Sequence, residues 1–486
     1  MTVVRVFSGP DRLEKLQFLD VRTELRVNGI PTARLTLSVP GNALEELSKE
    51  REIALCQPGK WLSVGIKNER ETIEFFSGII TTSDLTLSRE RSELALTLKH
   101  SLVKLDSVVR SQVFTDITDA EIVKSLCQLR VPIDIDKDAQ MNTRYEQRIQ
   151  FRCTDWQMLR QCLDANGAWL IAEPSRVKIF RPGLSLQPDH TLRPNKSQPM
   201  EIAHWQFSAS DQPKELCLRS WDIATQTDLS VDAKTVSLGN EALDPQGGDT
   251  LSKMKWELGY GTSPSRDVLQ QKANSMLQQL QLRRVQGEFT VKGTLEYQPG
   301  QTLKVSGYGE YFDGTGIITA VLHSITPSRW TTTLVLGERG LIPVAPVQQS
   351  GFLPGVVVRE PGEGYQRFDR IRVRLNTLGD RQNEVWARFA MPYASKEGSF
   401  LCYPEFDDEV VVGFFDNDPD YPVIVGSMHN PKTMSAAQMS QGNYKKGWLF
   451  HSQDLRLLVD TGPVDKGETG IEIMGPKINL TKPKGL

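Results

Sequence analysis

Across its 486 residues the chain lacks any apolar run near the roughly 18 residues that a membrane-spanning helix needs, so no such helix is expected. No secretory signal is visible at residues 1–8, and none is expected. Met1-Thr2-Val3-Val4-Arg5-Val6-Phe7-Ser8 contains no basic segment followed by an apolar stretch and a small-residue cleavage site, and the chain is expected to be made and folded in the cytoplasm. Cysteine is sparse. Cys56, Cys127, Cys153, Cys162, Cys217 and Cys402 include no CxxC pair, and the nearest two stand nine positions apart, which argues against a zinc knuckle or a disulfide framework and for reduced, mostly buried thiols. A formal net charge of −3 on so long a chain gives no field that would gather nucleic acid or an acidic membrane, and neither is expected as a partner.

Catalytic signatures are missing too. His100, His190, His204, His323, His429 and His451 form neither HxxxH nor HExxH, and no GxSxG, Walker loop or nucleotide-binding glycine fingerprint is present. His323 reads as a strand histidine with one ring nitrogen on a backbone carbonyl. Gly307-Tyr308-Gly309 and Gly314-Thr315-Gly316 read as turns between strands. Glu405-Phe406-Asp407-Asp408-Glu409 holds several carboxylates, but on one loop they read as solvated surface, whereas paired glycosidase carboxylates must flank a substrate from two sides. No catalytic residue, no cofactor and no metal site is therefore expected.

What the chain does have is the 39% hydrophobic and 24% charged balance of a globular protein, over a length that single cores do not fill, so two to four domains are expected. From Leu16 to Leu105 short alternating runs recur, among them Arg34–Val39, Trp61–Ile66 and Glu93–Leu98, and period two with polar partners marks half-buried strands. Thr118-Asp119-Ala120-Glu121 is a capping box ahead of Ile122, Val123 and Leu126. A second helix is predicted from Thr154 or Asp155 through Trp156, Leu159 and Leu163 to a stop at Asn166-Gly167. Strands resume at 168–171 and 177–180. Residues 181–200, with Pro182, Pro188, Pro194 and Pro199, read as a connecting loop. Ser263-Pro264-Ser265-Arg266-Asp267 opens a helix to Arg284 whose glutamine-rich face reads as solvated surface, strands follow from Glu288 to Leu336, and 341–347 reads as a proline-stiffened linker.

Between Phe352 and Asn430 five short strands are packed into little sequence: Gly355-Val356-Val357, Ile371–Leu375, Val385-Trp386-Ala387-Arg388-Phe389, Glu409–Phe414, and Val423–Gly426 behind Asp418-Pro419-Asp420-Tyr421-Pro422. Five strands at this spacing suit a small Greek-key barrel of the OB type. Their order resembles the spike OB fold of the VgrG family, in which a basic-apolar strand, a Trp-x-Arg strand and an acidic-valine strand precede Asp-Pro-Asp-x-Pro. Acidic loops at 406–409 and 416–418 argue against nucleic-acid binding by this barrel. Gln147–Leu159 with Asn166-Gly167-Ala168-Trp169, and Pro299–Val305 leading to Ile317–His323, are similar to the hub of the same family and of contractile phage tails.

The resemblance implies a mainly β protein with inserted helices: a two-barrel hub with α/β insertions over residues 1–345, an OB-fold spike domain over 346–432, and a short intertwined trimeric β-prism over 433–486. It implies a non-enzymatic hub and spike of a contractile injection system that pierces the target membrane mechanically. Its implied partners are two further copies of itself in a homotrimer, a hexameric inner tube protein, baseplate proteins, a PAAR-like tip protein and effector cargo. It would be assembled in the bacterial cytoplasm and then secreted or delivered with the particle. The tail, with strands expected at 454–460, 469–473 and 477–480, is too small to build a core from one chain. Ile471, Ile473, Ile478 and Leu480 are the residues expected at the trimer and tip interface. The family's long needle is abbreviated, which favours an extracellular or phage-tail-like particle over the type VI system. Only short segments surround the tail, leaving no room expected for a catalytic domain of about 100 residues. The competing reading is a peptidoglycan-cleaving tail spike enzyme.

Overall fold

The computed structural model describes residues 3–39, 51–67, 71–87, 92–128, 130–173, 176–183, 187–193, 200–210, 212–234, 255–309, 312–341, 347–358, 370–379, 383–400, 402–434, 444–450, 455–461 and 469–475. The linker expected at 341–347 lies mostly outside these residues, as do Ile478 and Leu480 and the strand expected at 477–480.

Alternation builds the hub. Thr32–Val39 turns Ala33, Leu35, Leu37 and Val39 inward, and Ser92–Lys99 beside it turns in Leu94, Leu96 and Leu98. Polar residues between them face outward, so each strand buries one side. Trp61–Lys67, Thr72–Thr86 and Val3–Ser8 complete the first half of the sheet around Val64, Phe76 and Ile80. In the second half Val285–Lys292, Trp330–Leu336 and Gly314–Ile325 surround Phe289, Val321 and Leu334. Two barrels are expected here; among the described residues the hub strands enclose two apolar cores and form no closed barrel. Their strands nevertheless belong to one 13-stranded sheet, joined where Gln17–Arg26 pairs antiparallel with Gly314–Ile325.

Several local expectations change. The loop expected at 181–200 contains a strand, His190–Leu192, which runs parallel to Thr302–Val305, with the Asp189 carboxylate accepting from the Thr302 N–H at 2.7 Å and from its hydroxyl at 2.8 Å. Gly314-Thr315-Gly316 opens the long strand Gly314–Ile325 instead of forming a turn. The His323 ring meets a hydroxyl, not a carbonyl: Nδ1 lies 3.0 Å from Thr332 Oγ1. That hydroxyl donates to the Thr294 carbonyl and accepts from the Thr294 N–H, so its proton is used and the ring nitrogen must donate.

Helices are set by their caps. Thr118 accepts from the Glu121 N–H at 3.2 Å and Glu121 returns the bond to the Thr118 N–H, opening Asp119–Cys127. Thr154 and Gln157 repeat the box at the start of Asp155–Asn166, which ends at Gly167 with φ 62°, a left-handed position that suits glycine. The two helices share an apolar core with Trp169–Ala172 and Val177–Phe180. Helix Arg266–Arg284 starts at Ser265 and covers the small sheet of Glu215–Asp222, Thr227–Asp232 and Lys255–Gly259. Its glutamines are contacts, not solvated surface. Gln278 is buried and donates to the Gly167 carbonyl at 2.9 Å, Gln279 donates to the Asp164 carboxylate, and Gln271 donates to the Gln140 carbonyl at 3.0 Å.

Leu353–Val357, Arg370–Arg374, Glu384–Phe389, Pro422–Met428 and Glu409–Phe414 close, in that spatial order, into a five-stranded barrel. Val357, Val373, Val385, Val410, Val412 and Ile424 fill it. The barrel core extends into the hub, because Val113, Ile149 and Phe151 of the hairpin Val109–Thr118/Arg144–Thr154 pack against the same cluster.

Candidate functional site

The tail is an antiparallel sheet of three strands, Lys445–Phe450, Leu455–Thr461 and Thr469–Met474. The first of these extends the sequence expectation, which placed strands only from 454 onward. Register sets its faces: Trp448, Leu457 and Ile473 lie abreast, and Lys446, Val459 and Ile471 lie abreast in the next row but one. Residues directly opposite in a sheet share a face. One side of the sheet therefore carries Trp448, Leu457, Val459, Ile471 and Ile473, with Lys446 at its edge. Ile471 is 71% exposed, Ile473 56%, Trp448 48% and Val459 40% in the single chain. Trp448 touches the barrel's Phe400, with ring centroids 6.0 Å apart. Sequence reasoning singled out Ile471 and Ile473 and passed over Trp448, Leu457 and Val459, although period two in the two preceding strands carries the same signal.

The second notable region is the seat of the barrel on the hub. Strand Glu384–Phe389 pairs with Pro422–Met428 only at Arg388 and Phe389, which leaves its edge open at Trp386. There the Gln147 side chain takes the place of a strand residue: its Oε1 accepts from the Trp386 N–H at 3.0 Å and its Nε2 donates to the Trp386 carbonyl at 3.2 Å. Nε2 also donates to the Asp420 carbonyl at 3.0 Å, and the Asp420 Oδ1 accepts from the Ile149 N–H at 2.5 Å. Asp420 Oδ2 lies 3.4 Å from Arg148 Nε, and Arg148 Nη2 lies 3.8 Å from Asp119 Oδ1. The Arg148 side chain is 9% exposed and that of Asp420 17%. Burial pushes the Asp420 carboxyl up to about 7, against the opposing pull of Arg148. Burial also works against the Arg148 charge, but Asp119 and Asp420 hold it protonated, above its ordinary value. Asp119 is itself fixed by Tyr145 O–H at 3.1 Å and Asn166 Nδ2 at 2.7 Å.

The acidic loop behaves as sequence suggests at Glu405 and Asp407, which are exposed. Asp408 Oδ2 accepts from the Glu405 N–H at 2.8 Å, and Glu409 accepts from Asn430 at 3.0 Å, so two of its carboxylates shape the loop. Five cysteines are buried, whereas Cys402 is exposed.

A sheet-built hub with α/β insertions, a closed five-stranded barrel and a terminal strand sheet together make a fold similar to that of solved VgrG and phage-tail-like proteins. Residues 2–327 match the Alg8 N-terminal domain, and residues 353–429 match the type VI secretion system/phage-baseplate injector OB domain. The chain belongs to the Alg8 N-terminal domain family. It is 32% identical over 97 residues to the type VI secretion system spike protein VgrG1a of Pseudomonas aeruginosa, a stretch that is 18% of this chain and 15% of that protein. Among solved structures, the E. coli c3393 protein is described as a type VI secretion component similar to the T4 bacteriophage tail proteins gp27 and gp5. It superimposes with a TM-score of 0.58 at 14% identity, covering 88% of this chain and all (100%) of that one. A chain of the Francisella PdpA-VgrG complex gives 0.59 at 11% identity over 98% of this chain and 80% of its own length.

Proposed function

We propose that the protein works without catalysis, as the trimeric hub and central spike of a contractile injection system. The observation that carries this reading is the exposed apolar face of the tail sheet, in a chain whose other domains have the hub and OB-barrel folds. Leaving Ile471 and Ile473 in water forgoes about 1.5 to 3 kcal/mol for each side chain. Three sheets facing one another bury that face in a prism and pair strand edges that would otherwise be open. Ile478 and Leu480 lie outside the described residues, and a PAAR-like tip protein is proposed as the partner they would meet.

The rest of the assembly follows from the same reading. The hub would sit on a hexameric inner tube within a baseplate, effector cargo would travel on the tip or in the tube, and the target membrane would be pierced mechanically. Assembly would occur in the bacterial cytoplasm before delivery with the particle. Support comes from the fold neighbours and from the spike proteins that share a stretch of sequence with this chain. One relative is the actin cross-linking toxin VgrG1 of Vibrio cholerae, but the shared stretch is 8% of that protein.

Sedimentation velocity on the full-length protein tests the reading: a species of three times the chain mass is expected, and a stable monomer at micromolar concentration would overturn it. A muramidase assay separates it from the peptidoglycan-cleaving alternative, for which turnover of purified cell wall would be required.

A further inference from the structure

We propose that Asp420, the second aspartate of the Asp418-Pro419-Asp420 turn, is a positioning residue that locks the OB barrel onto the hub hairpin in one orientation, with Gln147 as the other half of the lock. Two kinds of contact join the bodies. Val113, Ile149 and Phe151 pack into the barrel core, and such burial is non-directional, so it fixes proximity more than angle. Hydrogen bonds are directional. Those at Ile149, Gln147 and Trp386 converge on one turn and one open strand edge, where each satisfies a backbone group that would otherwise face an incompletely filled space.

That space is real on both sides. A cavity of about 430 Å³ between the hairpin, the start of helix Arg266–Arg284 and the barrel, and another of about 420 Å³ nearer Lys272, share Tyr145, Val268, Asp420 and Tyr421 as their common wall. The Asp418–Pro422 turn thus stands between two clefts that open to solvent, with Pro419 and Pro422 buried and its polar contacts fixing its orientation on the hub. The neighbouring loop adds two ties: the Asp416 carboxylate accepts from the Gly261 N–H at 3.3 Å, and the Asn417 carbonyl accepts from the Gln349 N–H at 2.8 Å. Losing Asp420 would remove the acceptor of Ile149 and the nearer of the two carboxylates around the buried Arg148, leaving Asp119 at 3.8 Å as its remaining counter-charge and loosening the tie between hub and barrel. The lock therefore opens as one unit. That thrust passes from hub to spike through this joint rests on the function proposed above; the lock itself does not.

Hydrogen–deuterium exchange on the full-length protein reads the joint at two amides, Ile149 and Trp386. In Asp420→Ala both are expected to exchange at least tenfold faster than in the wild type, although Asp420 bonds only the first. In Asp420→Asn, which keeps an acceptor for Ile149 but removes the charge of the carboxylate nearer to Arg148, both are expected to rise by a smaller factor. If Asp420→Ala does not fold, Gln147→Ala gives the reciprocal reading, with the Ile149 amide expected to speed up alongside Trp386. Acceleration confined to the amide whose own partner was removed would overturn the lock. A monomeric wild type with both amides protected would sink the spike reading and leave the lock standing.

Discussion

Gln147 pairs with Trp386 as a neighbouring strand would, its side-chain amide accepting from the N–H and donating to the carbonyl of the same residue across the boundary between hub and barrel. A side chain thus finishes a sheet edge that the barrel's own strands leave open.

The tail face should control assembly. Replacing Ile471 and Ile473 with aspartate puts two charges where apolar surface would be buried, against about 1.5 to 3 kcal/mol of burial per residue. Sedimentation should show trimer giving way to monomer while the thermal transition of hub and barrel is kept. A trimer of unchanged strength would exclude this face from the interface.

His323 should make stability depend on acid. Burial lowers its imidazole from the ordinary 6.5 to about 4, so between those values the unfolded chain binds a proton that the folded chain refuses. Stability conferred by the neutral ring is present above pH 6.5 and is lost as pH falls toward 4, by on the order of 3 kcal/mol. His323→Gln should remove that component, so urea midpoints of variant and wild type should converge on acidification across this window. Parallel pH curves would show that the ring accepts its proton in the folded state.

Gln278 should matter more than its place on a polar helix suggests. Truncation to alanine leaves the Gly167 carbonyl without the bond it now receives at 2.9 Å, a loss of about 1 to 3 kcal/mol for a buried acceptor. Thermal unfolding of Gln278→Ala beside the wild type would test this: the midpoint should fall by several degrees, and an unchanged midpoint would show that the Gly167 carbonyl does not depend on this bond.

One thiol should react in the native state. Cys56 and Cys127 are raised to about 12 and Cys153 to about 11, burial being the main cause, whereas Cys402 is exposed. A thiolate-specific reagent should modify one cysteine per chain without denaturant, and Cys402→Ser should abolish that fast phase. Several fast equivalents would mean that the hub opens readily.

Much of this architecture is legible in the residues because one-sided burial imposes alternation and helix starts demand specific side chains. Leu94, Leu96 and Leu98 announce their strand, and Thr118 with Glu121 and Thr154 with Gln157 announce their helices. Legibility ends where long-range partners decide. His190–Leu192 is a strand only because Thr302–Val305 lies beside it, and no local pattern among the surrounding prolines carries that information. Gln147 and Gln278 look like surface in a one-dimensional reading, because the carbonyls they bond lie 239 and 111 positions away. Asp420 belonged to a motif visible in sequence, but its role depends on a hairpin far upstream.

The strand that joins the two halves of the hub sheet has a consequence for biosynthesis. Thr23 pairs with His323, and a ribosome adding about 5 to 20 residues each second needs about 15 to 60 seconds to make the roughly 300 residues between them. Throughout that interval Gln17–Arg26 has emerged with one ladder of backbone groups unmatched, an invitation to neighbouring nascent chains. The longer the distant partner takes to arrive, the longer that edge stays available to a wrong one, so the final length of the hub sheet sets a limit on how crowded its synthesis can be.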